Sequence, residues 1–424
     1  MRNSLTKFIS AACLLLSASA GAAGLIPAPG SDDLVASRLI AAPDPGFATE
    51  SQAVSFAWAL DRNSELAAPQ PYVAESREFF ETVSAASLRA GYRIDTTAPG
   101  AVIRISPDQT GNVTGLLPAD LEVMHNGTLV PTSAAIDQVA TAEQLRQAGL
   151  DSGNGALGFR VKPELGAGDV VIRSAKAKGR YLVHVFEPNS SLTLTLGSER
   201  NTHLAGESLS VVARLSDGDV GIDGARYGGI VTAPDGRTFP LTFSAAAGDV
   251  AGRIALPTEA SSLPGLWEVH TFARGERAGG RLLRDAKIAV AVSAPTARLS
   301  GDYTVDASNG LKIAMGVETA SAGRYELRGV LYGTDTSGRL APMAAASSAN
   351  VLTSGTGELA LHFGAELLGR GFSAPYALRD LTLSDQSRMG RLEARAIGPT
   401  IEVGSAVGNG SARPAPRLDG IQEN

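Results

Sequence analysis

Residues 252–257 read G-R-I-A-L-P and residues 263–272 read L-P-G-L-W-E-V-H-T-F; further on, 357–363 read G-E-L-A-L-H-F and 373–383 read S-A-P-Y-A-L-R-D-L-T-L. Each pair is an alternating run, a gap with Gly and Pro, and a second alternating run led by an aromatic residue. Alternation with period two marks a strand with one buried face. One pattern written twice predicts two modules of about 100 residues each, the size of an immunoglobulin-like sandwich.

Outward from the first copy, residues 191–196 read S-L-T-L-T-L, and Leu209, Val211, Ala213 and Leu215 keep the same period. Tyr227 to Ala233 runs into the turn Pro234-Asp235-Gly236-Arg237, and Phe239, Leu241 and Phe243 return from it. With the runs at Ile254, Trp267 and Ile288 this makes a seven-strand Greek-key pattern over 188–295. Outward from the second copy, strands near 299–305, 311–317, 325–332, 359–363, 376–383 and 392–403 predict a second sandwich over 296–403. Ala341 to Val351 reads as a low-complexity connection or an irregular edge strand.

The N-terminal third has a different texture. Residues 24–72 are rich in Pro, Ala and Asp, which disfavours helices and central strands and predicts an extended arm. It is interrupted by Ser51 to Leu60, which reads as a short helix or strand, and Phe56, Trp58 and Leu60 mark that piece as packing onto something. Residues 73–187 predict an α+β domain, with helices at 75–90 and 132–150, the second carrying the capping pattern Thr141/Gln144. Asn126-Gly127 marks a hairpin turn within 121–130. The fold class expected is therefore mainly β: an α+β domain followed by two Ig-like sandwiches, with a disordered tail at 404–424.

Residues 1–23 read as a secretory leader, with Arg2 and Lys7, an apolar run from Phe8 to Leu16, and small residues offering cleavage between Ala20 and Gly24. The expected location is periplasmic or extracellular. The apolar run is too short to span a bilayer, and no other segment approaches that length. The lone cysteine, Cys13, lies inside the leader, so the chain beyond it has no disulfide, thiolate ligand or cysteine nucleophile. The formal charge is −6, and the basic residues are scattered, which excludes a nucleic-acid stripe or a polybasic membrane patch.

The chemistry-bearing residues are sparse. The histidines, His125, His184, His203, His270 and His362, are far apart in sequence and form no H-E-x-x-H or H-x-H pattern. His184, His270 and His362 alternate with apolar neighbours and are expected on outer faces of strands. Gly153, Gly155 and Gly158 match G-x-G-x-x-G, but a helix precedes and a strand follows, the reverse of the dinucleotide context. Asp217, Asp219 and Asp223 stand at every second position or so, a calcium candidate, although Gly221 and Gly228 occupy positions where a calcium loop places ligands. Glu75, Glu78 and Glu81 read as a wet face. No G-x-S-x-G elbow is present, and no residue is assigned a catalytic role.

The segments 96–106 (T-T-A-P-G-A-V-I-R-I-S), 181–194 (Y-L-V-H-V-F-E-P-N-S-S-L-T-L) and P-D-G-R with P-G-L-W-E-V (234–269) resemble a family of secreted bacterial proteins catalogued as a domain of unknown function. The resemblance implies an N-terminal α+β part, Ig-like modules and a life outside the cytoplasm; it brings no catalytic residues. The function expected is that of a non-enzymatic binding or scaffold protein for a protein or glycan partner in the cell envelope or medium. The alternative is a propeptide-like inhibitor or chaperone of a secreted hydrolase.

Overall fold

The repeated segments form strands at Asp249–Ala255 with Trp267–Arg277, and at Gly355–Phe363 with Phe372–Asp385. The structure is a computed structural model that describes residues 22–402 other than 45, 47–49, 64, 65, 67–69, 109–114, 247, 248, 260 and 262. The leader, apart from Ala22 and Ala23, and the tail at 404–424 lie outside the described residues. The fold is mainly β, and the chain forms two units: Ala67–Ala294, and Met1–Leu66 with Pro295–Asn424. Among the described residues no helix is long and apolar enough to cross a membrane.

In the Ala67–Ala294 unit, the two strands of the first copy enter facing sheets. Asp249–Ala255 lies between Ser208–Asp217 and Thr238–Ala246; Trp267–Arg277 lies between Arg226–Thr232 and Gly280–Ser293. Thr238–Ala246 pairs in both sheets and carries the ladder around the sandwich. Leu192, Leu194 and Leu196 of the S-L-T-L-T-L run are wholly buried beside Trp267, whose ring stacks on Phe239 at 5.8 Å. Burying each such leucine is worth about 1.5–3 kcal/mol.

Residues 78–186 of this unit are more strand than helix. The helix expected at 75–90 is a strand, Glu78–Ser84, followed by a short helix, Ala85–Ala90. The strand prevails because seven residues zip against Arg180–Phe186, with Phe79 and Val83 buried and Glu78, Phe80 and Thr82 on the other face. The helix starts where the Ser84 side chain accepts the Ser87 N–H and ends at Gly91, φ 109°. The helix expected at 132–150 is likewise broken by a strand, Ile136–Thr141, paired with Leu157–Val161. The capping box does form, at the head of Ala142–Gln147. The Asn126-Gly127 turn joins Glu122–His125 to Thr128–Val130 with both residues at positive φ. Two sheets enclose a core that includes Phe79, Leu88, Ile103, Phe159, Ile172 and Tyr181.

One of those two sheets, the one holding Glu78–Ser84, Arg180–Phe186, Val102–Pro107, Leu157–Val161 and Ile136–Thr141, is continuous with the sandwich, because Asp285 of Gly280–Ser293 pairs with Glu78. Next to this seam lies a buried ion pair. Arg284 Nη2 donates to Glu187 Oε2 at 2.6 Å, with the two side chains 1% and 0% exposed. The remaining donors and acceptors are used: Arg284 reaches the Leu192 and Leu283 carbonyls, and Glu187 Oε1 accepts the Thr97 and Ala98 N–H groups.

The other unit is a sandwich of two sheets. One holds Ala297–Asp306, Leu311–Thr319 and Gly355–Phe363; the other holds Leu340–Leu352, Gly323–Asp335, Phe372–Asp385 and Gly390–Ile401. The stretch at 340–352, read as a connection or an irregular edge, is a full strand whose small side chains are nearly all buried. The Pro-rich stretch 24–72 is not a free arm. Ala22–Leu25 pairs with the Ala297–Asp306 strand, and Val54–Ala59 pairs with Leu340–Leu352, so each sheet takes its last strand from the N-terminal region. Both positions are sheet edges, where a proline-rich neighbourhood is tolerated because one side of the strand needs no partner. Ile26 and Leu34 enter the core, and Ala57 and Ala59 pack against it.

Between these two strands the main chain of the arm is held by arginines. Arg395 Nη1 donates to the Pro27 carbonyl at 3.0 Å and Arg388 Nε to the Pro43 carbonyl at 3.0 Å. Arg324 Nη1 donates to the Glu50 and Gln52 carbonyls at 3.0 and 2.6 Å. The Ala396 N–H donates to Asp33.

Candidate functional site

Strand alternation on the long sheet of the Ala67–Ala294 unit sends Val269, Thr271 and Ala273 inward and His270 and Phe272 outward. On Glu78–Ser84 it sends Phe80 outward, and on Arg180–Phe186 it sends Leu182, His184 and Phe186 outward. Register then sets these residues side by side: Ile230 opposite His270, Phe272 opposite Asp285, Asp285 opposite Glu78, Phe80 opposite His184 and Phe186 opposite Val102. The result is an apolar stripe crossing the seam. Ile230, Phe272, Leu182, Phe186 and Val102 are each 36–40% exposed.

Two histidines sit within the stripe. The His184 ring stacks on Phe80 at 4.3 Å, nearly parallel, and its Nε2 lies 2.7 Å from Glu78 Oε2. That contact holds the Glu78 carboxyl below its ordinary range, and it outweighs the opposing effect of burial. The His270 ring meets Phe272 edge-on at 6.3 Å. Its Nε2 is 3.4 Å from Asp285 Oδ2 without the direction of a hydrogen bond, and this atom has no hydrogen-bond partner. Asp285 Oδ2 instead accepts the Phe80 N–H at 3.0 Å. One carboxylate thus ties the strand bearing Phe80 to the strand beside His270.

A cleft of about 390 Å³ opens here, lined by Phe80, Leu182, His270, Phe272, Arg274 and Asp285 among others. Glu81 closes one end, 3.6 Å from Arg274 and 3.7 Å from Arg281, and accepts a hydrogen bond from the Tyr92 hydroxyl. Burial, reinforced by Glu81, pushes the Tyr92 phenol far up, so it stays protonated and donating. The arrangement offers aromatic faces, aliphatic surface and a rim of paired charges. These are the elements of a docking surface: an apolar centre with a polar edge.

The remaining histidines are structural. His362 Nε2 contacts the Asn309 carbonyl at 3.1 Å. His125 is buried opposite Val170. His203 is buried, with Nε2 3.0 Å from the Arg200 carbonyl and 3.1 Å from Ser198 Oγ. Burial lowers its pKa below the ordinary 6.5. The unfolded chain therefore takes up this proton before the folded one does, and stability is lost as pH falls below 6.5. Urea midpoints of wild type and His203→Gln at pH 7.5 and 5.0 test this: the drop between the two pH values is expected to shrink in the variant.

Asp217, Asp219 and Asp223 are not gathered into a cation site. A tight hairpin pairs Asp217 with Val220, and Gly218 takes φ 58° at its turn. The Asp217 carboxylate is engaged by Ser191 and Arg277, which together hold it below its ordinary range. Arg214 donates to the Asp219 carbonyl at 3.2 Å. Among the described residues no group of three or more His, Cys, Asp or Glu side chains is placed to hold a metal ion. The G-x-G-x-x-G stretch is a packing feature: a Cβ on Gly155 would lie 2.9 Å from the Gly115 backbone.

Sequence reading placed His184 and His270 outward but did not join them to each other, to Phe80 or to Asp285. His270 and Asp285 lie on the two strands of one hairpin, and His184 meets Phe80 across the Glu78–Ser84 ladder; bringing these two pairs side by side depends on the Asp285–Glu78 seam, between strands about 200 residues apart for which no local signal exists.

The fold and this face define a mainly β chain of sandwich units with an open sheet surface. The N-terminal domain of the family of domains of unknown function DUF4785 matches residues 47–187, and its C-terminal domain matches residues 296–399. The chain belongs to the DUF4785 family. A crystal structure of a DUF4785 family protein from Legionella pneumophila is similar in fold, at 21% identity and TM-score 0.65, covering 83% of this chain and 94% of that one. No curated protein matches the chain.

Proposed function

We propose that the protein is an exported, non-enzymatic binding protein, and that its partner is a protein docking on the stripe that crosses the seam of the long sheet. The observation that supports this reading most is the exposure of Ile230, Phe272, Leu182, Phe186 and Val102 on one sheet face, with Asp285 and Glu78 between Phe272 and Phe186, and with Glu81 and Arg274 paired beside them. Contiguous exposed apolar surface with a charged rim marks interaction sites. The mixture of branched aliphatic side chains with Phe rings suits interlocking protein side chains better than the flat stacking of a sugar ring. The leader at residues 1–23 supports a periplasmic or extracellular setting.

Phe272→Ser with Leu182→Ser tests the proposal. Both side chains are 40% exposed, so each change is expected to cost about 1–2 kcal/mol of stability, a loss read from the thermal midpoint and leaving the fold intact. Capture of a partner from periplasmic extract or culture medium is expected to fall by about tenfold or more, the effect of losing about 1.4 kcal/mol or more at an interface centre. Equal recovery of the same proteins by wild type and the double variant would overturn the assignment of this face.

A further inference from the structure

We propose that the seat of the N-terminal arm on the second sandwich is a strand-acceptor surface, and that two copies of this chain exchange arms across it to form a reciprocal dimer. The seat grips the arm chiefly through its main chain. Gly24 and Leu25, beyond the leader, and Val54–Ala59 are bound by strand pairing, at Gly24 opposite Tyr303 and at Val54 opposite Ala349. Between them Arg395, Arg388 and Arg324 donate to carbonyl oxygens of Pro27, Pro43, Glu50 and Gln52. Every one of these contacts is reproduced when the arm comes from another copy.

The seat also carries features that select this arm over an arbitrary extended peptide. A Cβ on Gly24 would lie 2.7 Å from the end of the Tyr303 ring, so a larger residue there requires that ring to move. Ala57 and Ala59 are the small residues that pack against the core, and Asp33 accepts the Ala396 N–H. An arm with these residues at these positions is supplied by a second copy of the chain.

Departure of the arm leaves the Ala297–Asp306 and Leu340–Leu352 strands each with an unpaired edge, a state that recruits the next available strand. Residues 60–72 join the arm to the strand Val73–Ser76. A segment of that length spans up to about 45 Å when extended at about 3.3–3.6 Å per residue, enough to hand the arm to a neighbour. Exchange of identical elements gives a closed, two-fold assembly at little energetic cost.

The test uses the full chain with Cys13→Ser, which then has no cysteine. Ser55 faces Ser348 across the arm's pairing, so one copy carries Ser55→Cys and a second, size-tagged copy carries Ser348→Cys. The two are unfolded together, refolded together and oxidised. Exchange is expected to give disulfide-linked heterodimer several-fold above the background set by Asn309→Cys mixed with Ser348→Cys, Asn309 being an exposed turn residue outside the seat. Light scattering of refolded wild type is expected to show a dimer fraction that grows with concentration during refolding. Heterodimer at background, with monomer at every refolding concentration, would overturn the proposal.

Discussion

Arg284→Leu is expected to lower the unfolding free energy of the Ala67–Ala294 unit by about 3–5 kcal/mol, because removing one member of a buried pair leaves the other charge uncompensated. Glu187 is wholly buried and has no route to water. Against a typical total of about 5–15 kcal/mol, such a loss is a large part of the stability. Urea unfolding followed by fluorescence in a Trp58→Phe background, which leaves Trp267 as the one tryptophan, measures it. The second variant is Arg284→Leu with Glu187→Gln. The introduced glutamine lacks the charge but keeps an acceptor for the Thr97 and Ala98 N–H groups, which Glu187 now serves. Over half of the lost stability is expected to return. A double variant as weak as the single one would show that the packing of the arginine stem, not the stranded charge, is what matters at the seam.

The second large effect lies in the other unit. Glu393 is 1% exposed; Oε2 accepts the Leu299 N–H at 2.8 Å and Oε1 pairs with Arg395, which in turn holds the Pro27 carbonyl. Glu393→Leu strands the arginine and orphans an amide, at an expected cost of about 3–5 kcal/mol. It also weakens the hold on the arm, so protease cleavage between residues 27 and 53 is expected to quicken. Glu393→Gln keeps the acceptor for Leu299 and is expected to fall between the two. Burial raises the Glu393 pKa above its ordinary 4.5, and the Leu299 and Arg395 contacts only partly oppose it. The folded state therefore keeps this proton to higher pH than the unfolded chain does. The group's contribution is fullest below pH 4.5 and declines as pH rises through the folded-state value. The urea-midpoint gap between wild type and Glu393→Gln is expected to narrow as pH rises from 4 to 7.

The strands were the legible part of this chain. Leu192, Leu194 and Leu196 alternate because one face meets the core, and the repeated segments stand in equivalent places in two sandwiches. The two helices were misread because Phe79 with Val83 satisfies a helical spacing and a strand spacing equally, and only pairing with Arg180–Phe186 decides between them. The arm was legible only in part: a packing piece at 51–60 is the strand Val54–Ala59, while the pairing of Ala22–Leu25 carries no signal in the sequence. Proline excludes a central strand but leaves edge positions open, and A-A-G-L and V-S-F-A-W-A are the proline-free pieces that fill them. The candidate site was legible only as residues facing outward; its assembly rests on a seam between strands remote in sequence. The calcium candidate is a purely local pattern; in the structure Asp217 stands at a tight hairpin, with its carboxylate held by Ser191 and Arg277.

The pairing of Ala22 with Val305 and of Val54 with Ala349 also bears on how the chain acquires its structure. These contacts join some of the first described residues to some of the last strands, so contact order in this unit is high and its folding is correspondingly slow. Closing so large a loop carries an entropic cost that is met only once both ends are present. A chain emerging from its N-terminus must therefore keep Val54–Ala59, with its exposed Phe56 and Trp58, unpaired until the acceptor strands arrive. During that interval the Ala67–Ala294 unit is free to fold by itself, and the aromatic donor strand is the segment on which a holding chaperone would have most effect.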